Sequence, residues 1–381
     1  MLRQSGCRRL AGYDDINDAE RLSVDPVMRQ MVSGRAANRR VASTSQMARF
    51  ETKILTQPQN LKTLTALPGQ WIDCVRQTRQ IKKLVLDLNS SVSEAHGRQE
   101  GSPYNGYLRC ECGHHVFCFN QDADVQAALL HHGNVAGFHD WRLVLVPVIG
   151  RYRALNIAKL LRADAAFAIP QLYELLEAEG YRYVIRLHAS EVLHREIAPL
   201  MERPVGRPPA QPIALYHRLE YQAASCNRPR TVAAKGQWHC DELFPRVGFV
   251  VTNMRGRAKA IPDFYNGRGR AGQAIKQAKG ALDWTRLSCH DLDANRARRQ
   301  LFVLAYNLGN FLRNLALPAR VTHWTLTTRL VKLIKTGAKV VRHARYVTFQ
   351  LAEVAVPRKI FAAILARIRR FAGISPKPAP I

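Results

Sequence analysis

RADAAFAIPQLYELLEAEGYRYVIRL, residues 162–187, changes character twice within a single stretch. A short apolar strand ends at Asp164. Pro170, whose fixed φ suits a first helical turn, opens a helix over 170–179. Alternation then returns over 181–187, which predicts a second strand. Asp164 thus stands directly after a strand and before a helix, where the carboxyl edge of a sheet opens to ligands.

Upstream, KLVLDL at 83–88 is a short apolar run of the kind that a central strand requires. Residues 107–112 and 115–120 predict two further strands turning at Gly113. A helix over 139–152 follows, with Trp141, Leu145, Val148 and Ile149 on one face. Three strands, a helix, a strand, a helix and a strand is the order of an α/β fold with an RNase H-like mixed sheet and flanking helices. Fold alone does not establish chemistry.

The rest divides by composition. Residues 1–80 read as a helical N-terminal region, and 81–187 as the first part of the core. Pro204, Gly206, Pro208, Pro209 and Pro212 mark a loop. Alternation at 213–223, 231–238 and 246–252 then makes 188–260 a β-rich insertion. Residues 261–318 read as a final helical part of the core. A basic C-terminal region, 319–381, carries a hairpin at 339–354, a helix over 357–370 and the tail SPKPAPI.

Charge narrows the partner. The 381 residues hold 57 Lys and Arg against 29 Asp and Glu, a formal net charge of +28. From Arg255 to Ile381 the balance is 25 against 5. Solubility needs far less charge than this. A polyanion is implied, and nucleic acid comes first, because each phosphate contact releases counterions. The longest uncharged apolar stretch, 301–312, is short of the ~20 residues that span a bilayer. The N-terminus has no apolar signal core, so the expectation is a cytoplasmic protein without a membrane partner.

The eight cysteines form no disulfide framework. Cys110, Cys112, His114, His115 and Cys118 are close enough in sequence to suggest zinc, but their spacing matches no common knuckle. A half-buried hairpin is the simpler expectation.

Cutting and joining DNA by in-line attack is well served by two divalent metals about 4 Å apart, held by carboxylates from separate elements. Asp164 is the first candidate, and a backbone-capping Asp is its plainer reading. The first strand offers Asp87, with Asn89 on the same face roughly 7 Å further along. Asn89 has the right geometry but brings no charge to offset a metal.

At this point the chain resembles the insertion sequence thirteen-eighty family, within the DDE transposases that carry a β-rich insertion before the final Glu. The resemblance rests on GYDDINDAERL (12–22), ASTSQMARFET (42–52), LVLDLNSSVSEAHGRQEGSPYNG (84–106), residues 162–187, ALDWTRLSCH (281–290), QLFVLAYNLGNFLR (300–313) and KVVRHARYVTFQLAEVAVPR (339–358). It implies a transposase that binds element ends on double-stranded DNA as a homodimer and uses magnesium. It places the first catalytic Asp at Asn89 and the second at Asp164, with Asp87 as a possible substitute metal ligand. A Tyr-Arg-Glu-Lys signature falls on Tyr265, Arg268, Gly272 and Lys279, so the Glu position is Gly272. No acid lies between Tyr265 and Leu282. Arg268, Arg270, Lys276 and Lys279 remain to clamp phosphates; Tyr265 and Trp284 offer rings to stack on bases, with core packing the alternative for both and an equal one for Trp284. Family members carry more residues ahead of Gly12, so a shortened end-binding region is also expected. Two readings follow: an active transposase, or a DNA-binding remnant without catalysis.

Overall fold

The computed structural model describes all residues except 33–38, 79, 96, 203–204, 207–210, 241, 344–345, 353–355 and 372–381. The tail at 375–381, Pro204, Pro208, Pro209 and parts of the 339–354 hairpin therefore lie outside the described residues.

Strand β1 (Lys83–Glu94) is the hub of the main sheet. After it come β2 (Tyr104–Asn105), β3 (Cys110–Phe119), β4 (Val125–His132), β5 (Ala158–Ala163) and β6 (Arg182–Leu187). The sheet continues with β7 (Ile213–Tyr221), β8 (Arg230–Trp238) and β9 (Arg246–Thr252). The spatial order is β4-β3-β1-β5-β6-β9-β8-β7, with the short β2 also on β3. Strands β1, β5 and β6 run parallel, and the other neighbours are antiparallel. A separate hairpin pairs β10 (Ala338–His343) with β11 (Tyr346–Leu351).

The helices are α1 (Leu2–Leu10), α2 (Asp18–Val24), α3 (Pro26–Val32), α4 (Thr44–Arg49), α5 (Pro58–Thr78), α6 (Trp141–Tyr152) and α7 (Pro170–Ala178). There follow α8 (Glu191–Glu196), α9 (Ala260–Asn266), α10 (Gly269–Leu282), α11 (Leu292–Phe311), α12 (Leu326–Arg329) and α13 (Arg358–Arg369). Period-2 alternation along the strands separates two cores. Leu84, Leu86, Leu88 and Leu161 pack under α6 and α7. Phe117, Phe119, Val125 and Ala128 pack on the opposite face under α10 and α11. One face thus holds the crossover helices of the parallel strands, and the other holds the helices that follow the last strand.

Three sequence expectations change. β1 runs six residues beyond Leu88, because Asn89 to Glu94 continue to pair with β3. Gly113 is no turn: it lies inside one continuous strand, where a Cβ would stand 2.9 Å from the Leu130 side chain. The reversal comes later, at 120–124, where Asn120 Oδ1 accepts from the Asp122 and Asp124 amides, each at 2.9 Å. Strand β4 was absent from the expectation, since VQAALLHH has few of the β-branched and aromatic residues that mark strands. The stretch read as a β-rich insertion forms its three strands, and these extend the main sheet beyond β6 through β9.

The N-terminal helices are tied to the core by a buried ionic cluster. Glu51 accepts from Arg8 at 3.1 Å and from Arg9 at 2.9 and 3.0 Å, both on α1, and Arg298 of α11 stands 3.3 Å away. Burial favours the neutral carboxyl, but Arg9, Arg8 and Arg298 outweigh it and hold Glu51 far below the ordinary carboxylate range. Removing one member of a buried ionic group strands the others. Glu51→Ala is therefore expected to lower stability by about 3–5 kcal/mol, measured by urea denaturation. In the unmutated chain the Glu51 contribution is complete above the unfolded carboxylate pKa near 4.5 and is lost as pH falls below it. The variant should lack that part of the acid limb.

Candidate active-site cleft

The parallel register of β1 on β5 builds the site. Asp87 lies beside Arg162 and Leu88 beside Ala163, so Asn89 and Asp164 come next, side by side at the carboxyl edge. Because Leu86, Leu88, Leu161 and Ala163 face one core, alternation turns Asp87, Asn89, Arg162 and Asp164 to the opposite face. That face meets α9 and the start of α10.

Asp87 is buried and bound by a two-pronged fork: Arg162 Nε donates to Oδ1 at 2.6 Å and Nη2 to Oδ2 at 2.7 Å. Burial pushes the Asp87 carboxyl up from its usual value, and Arg162 works against that. Arg162 also donates to the Phe264 carbonyl at 3.0 Å and lies 5.0 Å from the Phe264 ring centre. This seats α9 on the sheet. Gly267 makes room for the fork, since a Cβ there would stand 2.2 Å from Arg162 Nη1. Both Asp87 oxygens are engaged in this buried ion pair, so a metal held by Asp87 would have to displace Arg162.

Arg268 occupies the space between the next pair. Its Nη2 donates to Asp164 Oδ2 at 2.8 Å and makes a short hydrogen bond to Asn89 Oδ1. Asp164 Oδ1 also accepts from the Ala166 amide at 3.2 Å. Burial raises the Asp164 pKa, with Arg268 as the largest opposing influence. The Asn89 side chain is buried, and its Nδ2 has no hydrogen-bond partner among the described residues. The cleft therefore surrounds position 89 with a guanidinium donor and offers nothing for an amide N–H to donate to.

Gly272 follows Arg268 by one helical turn, is exposed, and has no atom within 4 Å of where a Cβ would stand. Tyr265 is half-buried; burial raises its pKa, opposed chiefly by Arg268. Lys279 donates to the Val92 carbonyl at 3.1 Å, further along β1. Arg270 and Lys276 are exposed, and Arg270 lines a polar cleft of about 710 Å³. Trp284 is misplaced as a base-stacking residue. It is fully buried, stacked on Phe117 at 5.0 Å and covered by the Arg299 guanidinium at 4.2 Å, so no face is open to a base.

Sequence reasoning also missed two features. The first is Arg162, whose signal in the sequence is the two-residue spacing to Asp164, which repeats that of Asp87 to Asn89. Arg186 and His188 share with Asp164 a cleft of about 380 Å³ at the ends of β5 and β6. The cysteine and histidine run lies along β3, where alternation sends its members to both faces. His115 pairs with Ser93 Oγ at 2.5 Å, while His114 stacks on His131. Among the described residues no group of three His, Cys, Asp or Glu side chains is arranged to hold a metal.

Residues 1–372 match the model of a family described as the transposase DDE domain, group 1. No curated protein matches the sequence. Among solved structures, the cryo-EM structure of a piggyBac transposase synaptic complex with hairpin DNA is similar at 10% identity. That match covers 99% of this chain and 77% of the other, with a TM-score of 0.38, too distant to carry any inference.

The orphaned amide at position 89 generates a measurable expectation. An unsatisfied buried donor costs about 1–3 kcal/mol, and a carboxylate opposite Arg268 would remove it and add a charge-assisted bond. Asn89→Asp should stabilise the chain at neutral pH by about 1 kcal/mol or more, read from the urea midpoint. A loss of stability at pH 7 would mean that the cleft is not shaped for an acid at this position.

Proposed function

The chain belongs to the DDE-domain transposases of group 1, and from that membership we propose that it binds the DNA ends of a bacterial insertion sequence while lacking the carboxylates to cut them. The sheet supports an RNase H-like core: numbered by appearance within the first five long strands, its order is 3-2-1-4-5 with strands 1, 4 and 5 parallel. In such a core the chemistry falls at the carboxyl edge of the first and fourth strands, where Asn89 and Asp164 stand.

The observation that carries the proposal is the Arg268 guanidinium between Asn89 and Asp164. A two-magnesium centre needs several hard anionic oxygens converging on one point. Here one carboxylate, Asp164, faces a cation; Asn89 contributes a neutral amide, Gly272 nothing, and Asp87 is held by Arg162. The donor set does not fit the metal pair that the family resemblance implies. No cleavage step is derived through it.

The cationic surface is a different matter. Phosphate binding requires positive charge distributed along a face rather than a ligand set of fixed geometry. Arg270 and Lys276 on α10 are exposed toward solvent, and the basic C-terminal third adds to them. In this reading the partner is double-stranded DNA, bound at inverted-repeat ends by a homodimer, in the bacterial cytoplasm at the nucleoid. No described helix is long and apolar enough to cross a membrane. The resemblance to the insertion sequence thirteen-eighty family belongs to the same proposal.

The deciding experiment uses a duplex carrying the terminal sequence that flanks the gene, with and without magnesium. The chain is expected to bind it with an affinity that falls steeply with salt and is indifferent to magnesium, and to leave it uncut. The double variant Asn89→Asp with Gly272→Glu restores both acids at positions with room for them, and it is expected to gain magnesium-dependent nicking. Cutting by the unaltered chain would overturn the proposal. Failure of the unaltered chain to bind the duplex would remove the DNA reading altogether.

A further inference from the structure

The β10–β11 hairpin stands outside both cores and outside the cleft. Every residue of β11 is exposed, with Tyr346 at 76%. Its base is closed by the Ala352 amide on the Gly337 carbonyl at 2.8 Å, and β10 touches α3. A two-stranded hairpin is marginal in water by itself, so a ribbon presented this way is suited to a further partner.

Cross-strand partners share a face. Lys339 with Gln350, Val341 with Thr348, and His343 with Tyr346 form one face. Ala338 with Leu351, Val340 with Phe349, and Arg342 with Val347 form the other. The first face is almost wholly polar, with amide, hydroxyl, imidazole, phenol and ammonium groups in two adjacent rows. No acid accompanies them: from Ala294 to Ala352 the sequence holds 11 Lys and Arg and not one Asp or Glu.

We propose that this hairpin is a β-ribbon that enters a groove of duplex DNA on its Lys339–Gln350–Thr348–His343–Tyr346 face, making a DNA contact separate from the Arg268 cleft. The dimensions agree. Six residues per strand span about 20 Å, and two paired strands fit a major groove about 12 Å wide. The side chains also divide by task. Lys339 supplies charge for a phosphate, whereas Gln350 carries the paired donor and acceptor that match the adenine edge. The alternative occupant, a second copy of this chain, would use the apolar face of Val347, Phe349 and Leu351. Charge decides between them: no carboxylate in this segment is available to relieve the crowding of cations when two copies meet, whereas DNA complements it.

The inference rests on the DNA reading above, and the test separates the two. The full-length chain is titrated against a fluorescein-labelled mixed-sequence duplex several helical turns long, over a range of salt. Lys339→Glu with His343→Glu, both exposed and outside the cores, is expected to weaken binding by roughly ten-fold or more and to lower the salt slope. Gln350→Ala should leave overall affinity nearly unchanged but relax the preference among duplexes selected from a random pool. Val347→Thr with Phe349→Thr should leave DNA binding unaltered. Thermal melts check that each variant is folded. Independently of those variants, a photo-crosslinking phenylalanine analogue replacing Tyr346 should attach to the duplex. If the unaltered chain binds the duplex but Lys339→Glu with His343→Glu binds equally well and position 346 does not crosslink, the ribbon proposal fails and the DNA reading stands. Loss of self-association in the apolar-face variant, with no effect of the acidic variant on DNA binding, would assign the hairpin to a second copy and equally overturn the proposal. No DNA binding by the unaltered chain would overturn both.

Discussion

The buried fork from Arg162 to Asp87 is the constraint from which the rest of the site follows. It joins β1 to β5 in one register, and that register places Asn89 next to Asp164. It also holds the Phe264 carbonyl, and so sets where α9 ends and α10 begins. Arg268, one residue before α10, then arrives between the two strand ends. A slip of β5 by one residue on β1 would turn Arg162 and Asp164 into the apolar core under α6 and α7 and leave Asp87 without its partner.

The same geometry explains how a neutral amide at position 89 is compatible with a folded protein. Carboxylates gathered for metal binding repel one another and are a burden on the fold until a cation neutralises them. Here the cation is internal. Arg268 satisfies the remaining acid and the amide oxygen beside it, so the cleft holds together with Asn89 in place of an acid. Asp87 is under the opposite constraint. Without it Arg162 would be a buried charge facing no counter-ion, which is far more damaging than the absence of an acid at an open strand end. On this face of β1, the carboxylate that supports the fold is Asp87.

Much of this architecture was legible in the residues. The strand, helix, strand sequence of 162–187 emerged where period and Pro170 placed it, because strong local patterning and tertiary burial agree there. The common face of Asp87 and Asn89 followed from alternation alone. What escaped was whatever depends on register or on partners distant in sequence. β4 was invisible because its Ala and Leu residues carry no strand preference and pair only once Asn120 has turned the chain. Gly113 was taken for a turn when its role is to leave space for Leu130. Trp284 fitted base stacking and core packing equally well in the sequence; Arg299, fifteen residues later, closes over it and decides for the core. The repeated two-residue spacing hinted at Arg162, but which residue it pairs with follows only from the alignment of β1 on β5.

Metal-dependent chemistry and DNA binding also differ in how much damage they tolerate. A two-metal centre fails when a single ligand is replaced by an amide or removed, since its affinity depends on several oxygens meeting at one point. A phosphate-binding surface degrades gradually, because each cation contributes a similar increment and neighbours compensate for a lost one. A chain free to accumulate substitutions will therefore lose its carboxylate geometry long before its electrostatic footprint. Asn89 and Gly272 stand where acids are expected, while 57 Lys and Arg remain against 29 Asp and Glu. Positive charge is concentrated in the segments that follow α11, where residues 312–352 hold 8 Lys and Arg and no Asp or Glu. On physical grounds, a distributed cationic surface tolerates substitutions that a convergent set of metal ligands does not.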